Sequence, residues 1–312
     1  MRNAVVIIGG GMMGAGIAAR SAAAGRRTLL VDTCLDRARH GAEEALAHID
    51  QLCSRELISA EAAQKTRDLL EPYSDRDAAL AQADMVIEAI VENLEAKQAL
   101  FAQMDAVLPP EVPIMSNSSG LQITRIAEKC VHPERTMIAH FWFPAHLVPL
   151  VELVVGERSD IRFVEAMKEE LLRWGKAPVI VKHDLPGQLA NRILQAVIRE
   201  AVNIVEMGLA SPEDVDTAIK MGMGIRLPVW GPLEHIDAVG LDLGLSVQDC
   251  VLPEISAASE GAPVLRKMVT EHQLGVKTGK GFYDWSQKNI NALQSLRDDF
   301  IITAVKFMQQ RR

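Results

Sequence analysis

Cysteine is scarce. The 312 residues carry four, Cys34, Cys53, Cys130 and Cys250, scattered with no CxxC pair and no Cys/His cluster at metal-ligand spacing. That excludes a disulfide-stapled scaffold and a structural zinc site, and it fits free thiols in a reducing compartment. Aromatic residues make up only 4%, and the net charge of −8 comes with no basic run anywhere. A nucleic-acid surface needs clustered Lys and Arg, so nucleic acid is not an expected partner. No apolar stretch approaches the ~20 residues that span a bilayer. The apolar run after Arg2 is strand-length rather than a secretory leader. No membrane and no metal are therefore expected, and the cytoplasm is the expected compartment. Internal repeats and low-complexity tracts are missing too. What remains reads as an ordinary α/β chain, 48% hydrophobic and long enough for two domains.

The most informative feature present is VVIIGGGMMGAG at residues 5–16. A β-branched strand runs into a glycine-rich turn and an alanine-rich helix, and a second strand follows, ending at Asp32. This is a dinucleotide-binding fingerprint. Gly9 makes the tight turn and Gly11 lets the backbone approach a pyrophosphate. Gly14 lets the helix pack on the strand, and the helix N-terminus stabilises the phosphate charge. Met12 and Met13 complete the cofactor-binding turn. Asp32 suits the ribose hydroxyls of NAD, and its charge repels the 2′-phosphate of NADP. NAD is the expected cofactor.

Residues 36–70 read as two largely helical stretches. Strand and helix then alternate: strands at 84–89, 112–116, 152–154 and 178–182, and helices at 95–107 and 164–175. That alternation predicts a Rossmann-type, doubly wound and mostly parallel sheet. Beyond Asp184-Leu-Pro-Gly187 the period becomes helical, with Leu189, Ile193, Val197, Ala201 and Val205 four apart. Ser211-Pro-Glu-Asp gives a helix N-cap with proline at the first helical position, and no strand candidate exceeds residues 281–285. The expected domains are thus 1–184, dinucleotide-binding, and 185–312, a smaller all-α unit. Its apolar stripe suits burial against a second copy of the chain, so a homodimer is expected.

A polar constellation lies between residues 116 and 192. Ser116-Asn-Ser-Ser-Gly120 follows a strand end, His140 ends an apolar run, Glu152 sits on the next strand, and Asn191 opens the long helix. These types suit reversible hydride transfer between a secondary alcohol and NAD. Histidine is suited to take the alcohol proton, a carboxylate to fix its tautomer, and a serine hydroxyl and asparagine amide to bind the reacting oxygen. Singly, each has a structural reading: a core histidine, a strand-end carboxylate, a turn serine and a capping asparagine. Spacing alone leaves both readings open.

The same residues carry a resemblance, nearly end to end, to the L-3-hydroxyacyl-CoA dehydrogenase family. GGGMMGAGIA is similar to its nucleotide loop, and ADMVIEAIVENLEAKQALF (83–101) to its stretch with a cofactor-contacting glutamate and lysine, here Glu92 and Lys97. SNSSGLQIT (116–124) resembles the catalytic serine segment, which implies Ser119 as the serine and brings Asn117 to the cofactor side. HFWFP (140–144) and PLVELV (149–154) resemble the His–Glu pair, here His140 and Glu152; DLPGQLANR (184–192) implies Asn191 as the catalytic asparagine. GPLEHIDAVGLD (231–242) and GVKTGKGFYDW (275–285) are similar to two C-terminal signatures. The resemblance implies a Rossmann domain, a helical domain that dimerises, and a substrate held in the cleft between the two.

Two departures bear on the substrate. Phe143 stands where the family usually has asparagine, and IRLPVW, carrying Arg226, separates Gly224 from Gly231. That form resembles the lambda-crystallin/gulonate dehydrogenase and carnitine dehydrogenase branches, whose substrates carry a free carboxylate. A guanidinium matches a carboxylate bidentately. Residues 45–67, where the family can recruit cations to CoA phosphates, offer Arg55, Lys65 and Arg67. The family default, a short-chain 3-hydroxyacyl-CoA, is the leading expectation, with Ser119, Asn191, Phe143 and Arg226 as substrate contacts. A small free hydroxy acid read by Arg226 is the alternative, and a non-catalytic, crystallin-like NAD-binding protein is a third.

Overall fold

The computed structural model describes residues 2–310, which fall into two compact units. The first runs through Leu189 and takes in the chain again from Asp298; the second is Ala190–Arg297.

In the first unit the chain alternates as β1 (Ala4–Ile8), α1 (Met12–Ala23), β2 (Arg27–Val31), α2 (Leu35–Ser54), α3 (Ala60–Arg67), β3 (Leu70–Tyr73), α4 (Arg76–Leu80) and β4 (Ala83–Glu88). It continues as α5 (Leu94–Val107), β5 (Ile114–Ser116), α6 (Ile123–Ile126), β6 (Thr136–Phe141), β7 (Leu150–Val154), α7 (Ile161–Arg173) and β8 (Ala177–Val181). The strands form one sheet in the order β3-β2-β1-β4-β5-β6-β7-β8, parallel throughout except for β6 against β7. All five residues of β1 are buried, because helices cover both faces. The pleat divides them: Val5 and Ile7 join one apolar cluster with Leu30 and Ile87, and Val6 and Ile8 join another with Leu29 and Val86. The expected Rossmann-type, mostly parallel sheet is present.

The second unit is helical: α8 (Ala190–Glu206), α9 (Pro212–Ala218), α10 (Pro232–Val239), α11 (Leu241–Val251) and α12 (Pro263–Thr270), with α13 (Ile290–Gln309) closing the chain. Ser211 caps α9 by accepting from the Asp214 N–H, with Pro212 at the first helical position. Residues 281–285 form no strand; Gly275, Lys280 and Asp284 make only isolated bridges. Among the described residues of this unit only Val202 and Val215 are buried hydrophobics, while Leu241, Leu243, Leu245 and Val247 are all more than half exposed.

The division differs from the sequence boundary at residue 184 in two ways. The DLPG turn stays with the sheet, because Asp184 Oδ2 accepts from Thr124 N (2.8 Å) and the Leu189 N–H binds Glu152. The end of α13 also belongs to the first unit, where Ile302 packs with Leu52 and Leu147 and Asp299 pairs with Arg55.

Candidate active site

β1 delivers the chain to Gly9, whose φ of +107° is the left-handed region that glycine tolerates. A Cβ there would lie 2.6 Å from the Ala89 carbonyl oxygen, so no side chain fits. A Cβ on Gly14 would lie 1.8 Å from the Gly9 oxygen, which is how closely α1 sits on the turn. Gly11 meets open space instead, leaving room for a bulky group beside the first helical N–H groups of Met12 and Met13. At the end of β2, Asp32 Oδ2 accepts from Gly10 N (2.8 Å) and Oδ1 from Thr33 N (2.7 Å). Burial raises the Asp32 carboxyl, but the Gly10 and Thr33 N–H groups, the Thr33 hydroxyl and the Arg37 guanidinium outweigh it, so the group sits below its ordinary value. A cavity of about 550 Å³ opens here, lined by Gly9, Gly11, Asp32, Arg37 and Ile90. Bare glycine, oriented N–H groups and an ionised carboxylate at the end of β2 together fit a dinucleotide.

Beyond β4 the carboxylates order the serine segment. Glu88, fully buried at the strand end, accepts from Lys97 Nζ (2.5 Å), Ser116 Oγ (2.6 Å) and the Ile90 N–H (2.7 Å). Lys97 is itself 1% exposed and lies 3.5 Å from Glu92 Oε2, so its amine is enclosed by two carboxylates of its own chain. Glu92 Oε1 accepts from Ser118 Oγ and from the Gly120 N–H (3.1 Å). Burial raises the Glu92 carboxyl, and those bonds with the Lys97 charge bring it below its ordinary value. Ser119, between the two bonded residues, is exposed, and among the described residues its hydroxyl has no hydrogen-bond partner. Asn117 ties this loop to β6, its Oδ1 accepting from the Phe141 N–H at 2.9 Å.

His140 and Glu152 face each other across the antiparallel β6–β7 pair, where opposed side chains share one face of the sheet. His140 Nδ1 lies 2.7 Å from Glu152 Oε2. The carboxylate on Nδ1 selects the tautomer with its proton there and leaves the lone pair on Nε2. Glu152 is fully buried and receives two further donors, Trp142 Nε1 on Oε2 and the Leu189 N–H on Oε1, each at 2.9 Å. The β6–β7 loop is braced by Lys176, whose buried Nζ donates to the carbonyls of Ala145 and Val148.

The structure thus brings together the turn with Asp32, the Glu92–Ser118 loop, and His140 with Glu152. Phe143 is 45% exposed beyond Trp142. Asn191 and Arg226 belong to the second unit, Asn191 in the first turn of α8 and Arg226 beyond α9. Sequence reasoning missed four parts. Glu88 gave a signal, as an acid at the end of an apolar strand, and Gly41 another, as a glycine inside α2. A Cβ on Gly41 would lie 2.5 Å from the Gly10 oxygen. Trp142 and the Leu189 N–H gave none, since both depend on tertiary position.

Two family models match consecutive stretches: 3-hydroxyacyl-CoA dehydrogenase, NAD binding domain, over residues 4–185, and 3-hydroxyacyl-CoA dehydrogenase, C-terminal domain, over 187–285. Among curated relatives, the 5-formyl-3-hydroxy-2-methylpyridine 4-carboxylate 5-dehydrogenase of Mesorhizobium japonicum is 31% identical, covering 100% of this chain and 99% of its own. The 3-hydroxybutyryl-CoA dehydrogenase of Bradyrhizobium diazoefficiens is 38% identical over 90% of this chain and 94% of its own. A solved structure of a dehydrogenase of the first kind, described as an NAD+-dependent dismutase, superposes with a TM-score of 0.91 at 29% identity, over 99% of each chain. With NAD as its cofactor, the chain is a member of the 3-hydroxyacyl-CoA dehydrogenase family, oxidoreductases acting on CH–OH groups.

Proposed function

We propose that the chain oxidises a small free hydroxy acid, gulonate- or carnitine-like in having its own carboxylate, and that Arg226 binds that carboxylate. The observation that carries this reading is a contrast in pairing. The cations available for CoA phosphates are already engaged: Arg55 with Asp299 (2.6 Å), Lys65 with Glu61 (2.8 Å) and Arg67 with Asp50. Arg226 is exposed, and among the described residues its guanidinium makes no ion pair. The Mesorhizobium relative, similar over the whole chain, is named for a pyridine carboxylate, which supports the same reading. A short-chain L-3-hydroxyacyl-CoA is the second reading, favoured by the Bradyrhizobium relative.

Either substrate meets the same chemistry. His140 takes the hydroxyl proton at Nε2, and Glu152 holds the ring and stabilises the imidazolium that results. The Ser119 hydroxyl and Asn191 amide donate to the reacting oxygen as its charge changes. NAD, when bound, supplies the hydride acceptor. Gly9, Gly11, Met12, Met13 and Gly14 cradle its pyrophosphate, Asp32 its ribose, and Glu92 and Asn117 shape the nicotinamide side. Lys97 acts from behind Glu92.

The test is a panel read at 340 nm: NADH oxidation with acetoacetyl-CoA beside NAD reduction with free 3-hydroxy acids, gulonate and carnitine. Turnover of a free acid is the expected result; turnover of acetoacetyl-CoA alone returns the assignment to the thioester. Arg226→Met is expected to raise KM for the free acid about 30- to 150-fold, the value of a charge-assisted bond of about 2–3 kcal/mol. An unchanged KM in that variant contradicts the role of Arg226.

We also infer a homodimer formed through the second unit. Two buried hydrophobic side chains do not stabilise a helical unit of this size, and its exposed leucines and valines form the kind of surface that a partner covers. Sedimentation at micromolar concentration is expected to give twice the chain mass, and a monomer mass contradicts the inference.

A further inference from the structure

We propose that Trp142 is a positioning residue for the His140–Glu152 pair, its indole N–H sharing Glu152 Oε2 with the imidazole and weakening the carboxylate's hold on the imidazolium. The proposal rests on the reading of His140 as the base. Its observation is that one buried oxygen accepts twice, from His140 Nδ1 at 2.7 Å and from Trp142 Nε1 at 2.9 Å. The indole ring also tilts against the imidazole, with centroids 5.7 Å apart. Each N–H that a carboxylate accepts stabilises its negative charge and draws density from the bond it makes elsewhere. Oε1 is engaged by the Leu189 N–H, so Trp142 acts on the oxygen that faces the histidine.

Several charged groups near the pair have other partners. Lys176, just before β8, donates to Ala145 and Val148 and lies over the Phe141 ring, and Phe141 points to the opposite face from His140. Asp184 turns to Thr124 N, Glu88 and Lys97 pair with each other, and Lys182 and His183 are exposed. Phenylalanine at 142 keeps the ring and removes only the donor. His140 then faces a more strongly charged oxygen and keeps its proton to higher pH. Since alcohol oxidation uses the neutral imidazole, the acid limb moves upward.

The test is a pair of NMR titrations of the full chain without cofactor. With labelled histidine, and with His140→Gln to assign the signal, Trp142→Phe is expected to move the His140 midpoint upward while the other histidines stay in place. An unmoved midpoint overturns the proposal. In the wild-type protein the Trp142 indole N–H signal is expected to titrate with the His140 midpoint; an indole signal constant across that range overturns it without a variant. The acid limb of kcat/KM is then compared between wild type and Trp142→Phe. A limb that fails to follow an observed NMR shift counts against His140 as the base and leaves the positioning role intact.

Discussion

Replacing His140 with glutamine is expected to lower kcat for alcohol oxidation about 10³-fold, within the range a positioned general base supplies, while NADH still binds. Glutamine is the informative choice. Its side-chain amide can donate to Glu152 Oε2 as His140 Nδ1 does, so the buried carboxylate keeps its partners, including Trp142 and the Leu189 N–H. What is lost is an acceptor that can carry a full proton. The dinucleotide turn lies on β1 and β2 and shares no hydrogen bond with His140, so cofactor affinity is expected to stay within about twofold. Stopped-flow turnover with fluorescence titration of NADH separates the two quantities. A variant turning over at the wild-type rate removes the histidine from the mechanism.

The second large effect concerns Lys97, and the resemblance and the structure assign it different consequences. A lysine whose main task is to touch the cofactor would lose NADH affinity on replacement and leave folding alone. In the structure both members of the Lys97–Glu88 pair are essentially buried, and the ammonium is enclosed by Glu88 and Glu92. Removing one member of a buried pair strands the other charge, a loss of about 3–5 kcal/mol. Ser116 Oγ and the Ile90 N–H remain on Glu88, which places Lys97→Met at the lower end of that range. A large fall in the urea midpoint is therefore expected. An unchanged midpoint with weakened NADH binding would show that the amine serves the cofactor directly.

How much of this was legible in the sequence follows from how local each signal is. The fingerprint was, because the positive φ of Gly9 and the approach of Gly14 to the Gly9 carbonyl lie within one strand–turn–helix unit, although Gly9 also meets Ala89 beyond β4. β3 was not: Leu70–Tyr73 is a four-residue edge strand containing a proline, too short and too irregular to show a period of two. β7 read as a strand, but its antiparallel direction follows from the loop that returns the chain beside β6, and apolar content carries no direction. That direction sets His140 opposite Glu152, so the sequence showed the pair as two residue types and the register made them neighbours. Resemblance transfers the position of Lys97 as a cofactor contact, and its burial beside Glu88, nine residues back in the chain, is visible only in the fold. The docking of Ile302 onto Leu52 and Leu147 joins chain segments about 250 and 150 residues apart, beyond any local pattern.

The central claim is that His140 takes the proton of the alcohol. Its most direct test is kcat/KM for alcohol oxidation by the wild-type enzyme between pH 6 and 9, with a deuterated substrate used to confirm that hydride transfer limits the rate. The rate is expected to climb from the acid side as the base loses its proton and then to level, with that limb missing from the residual activity of His140→Gln. A flat profile across the range, with the isotope effect present, would contradict it.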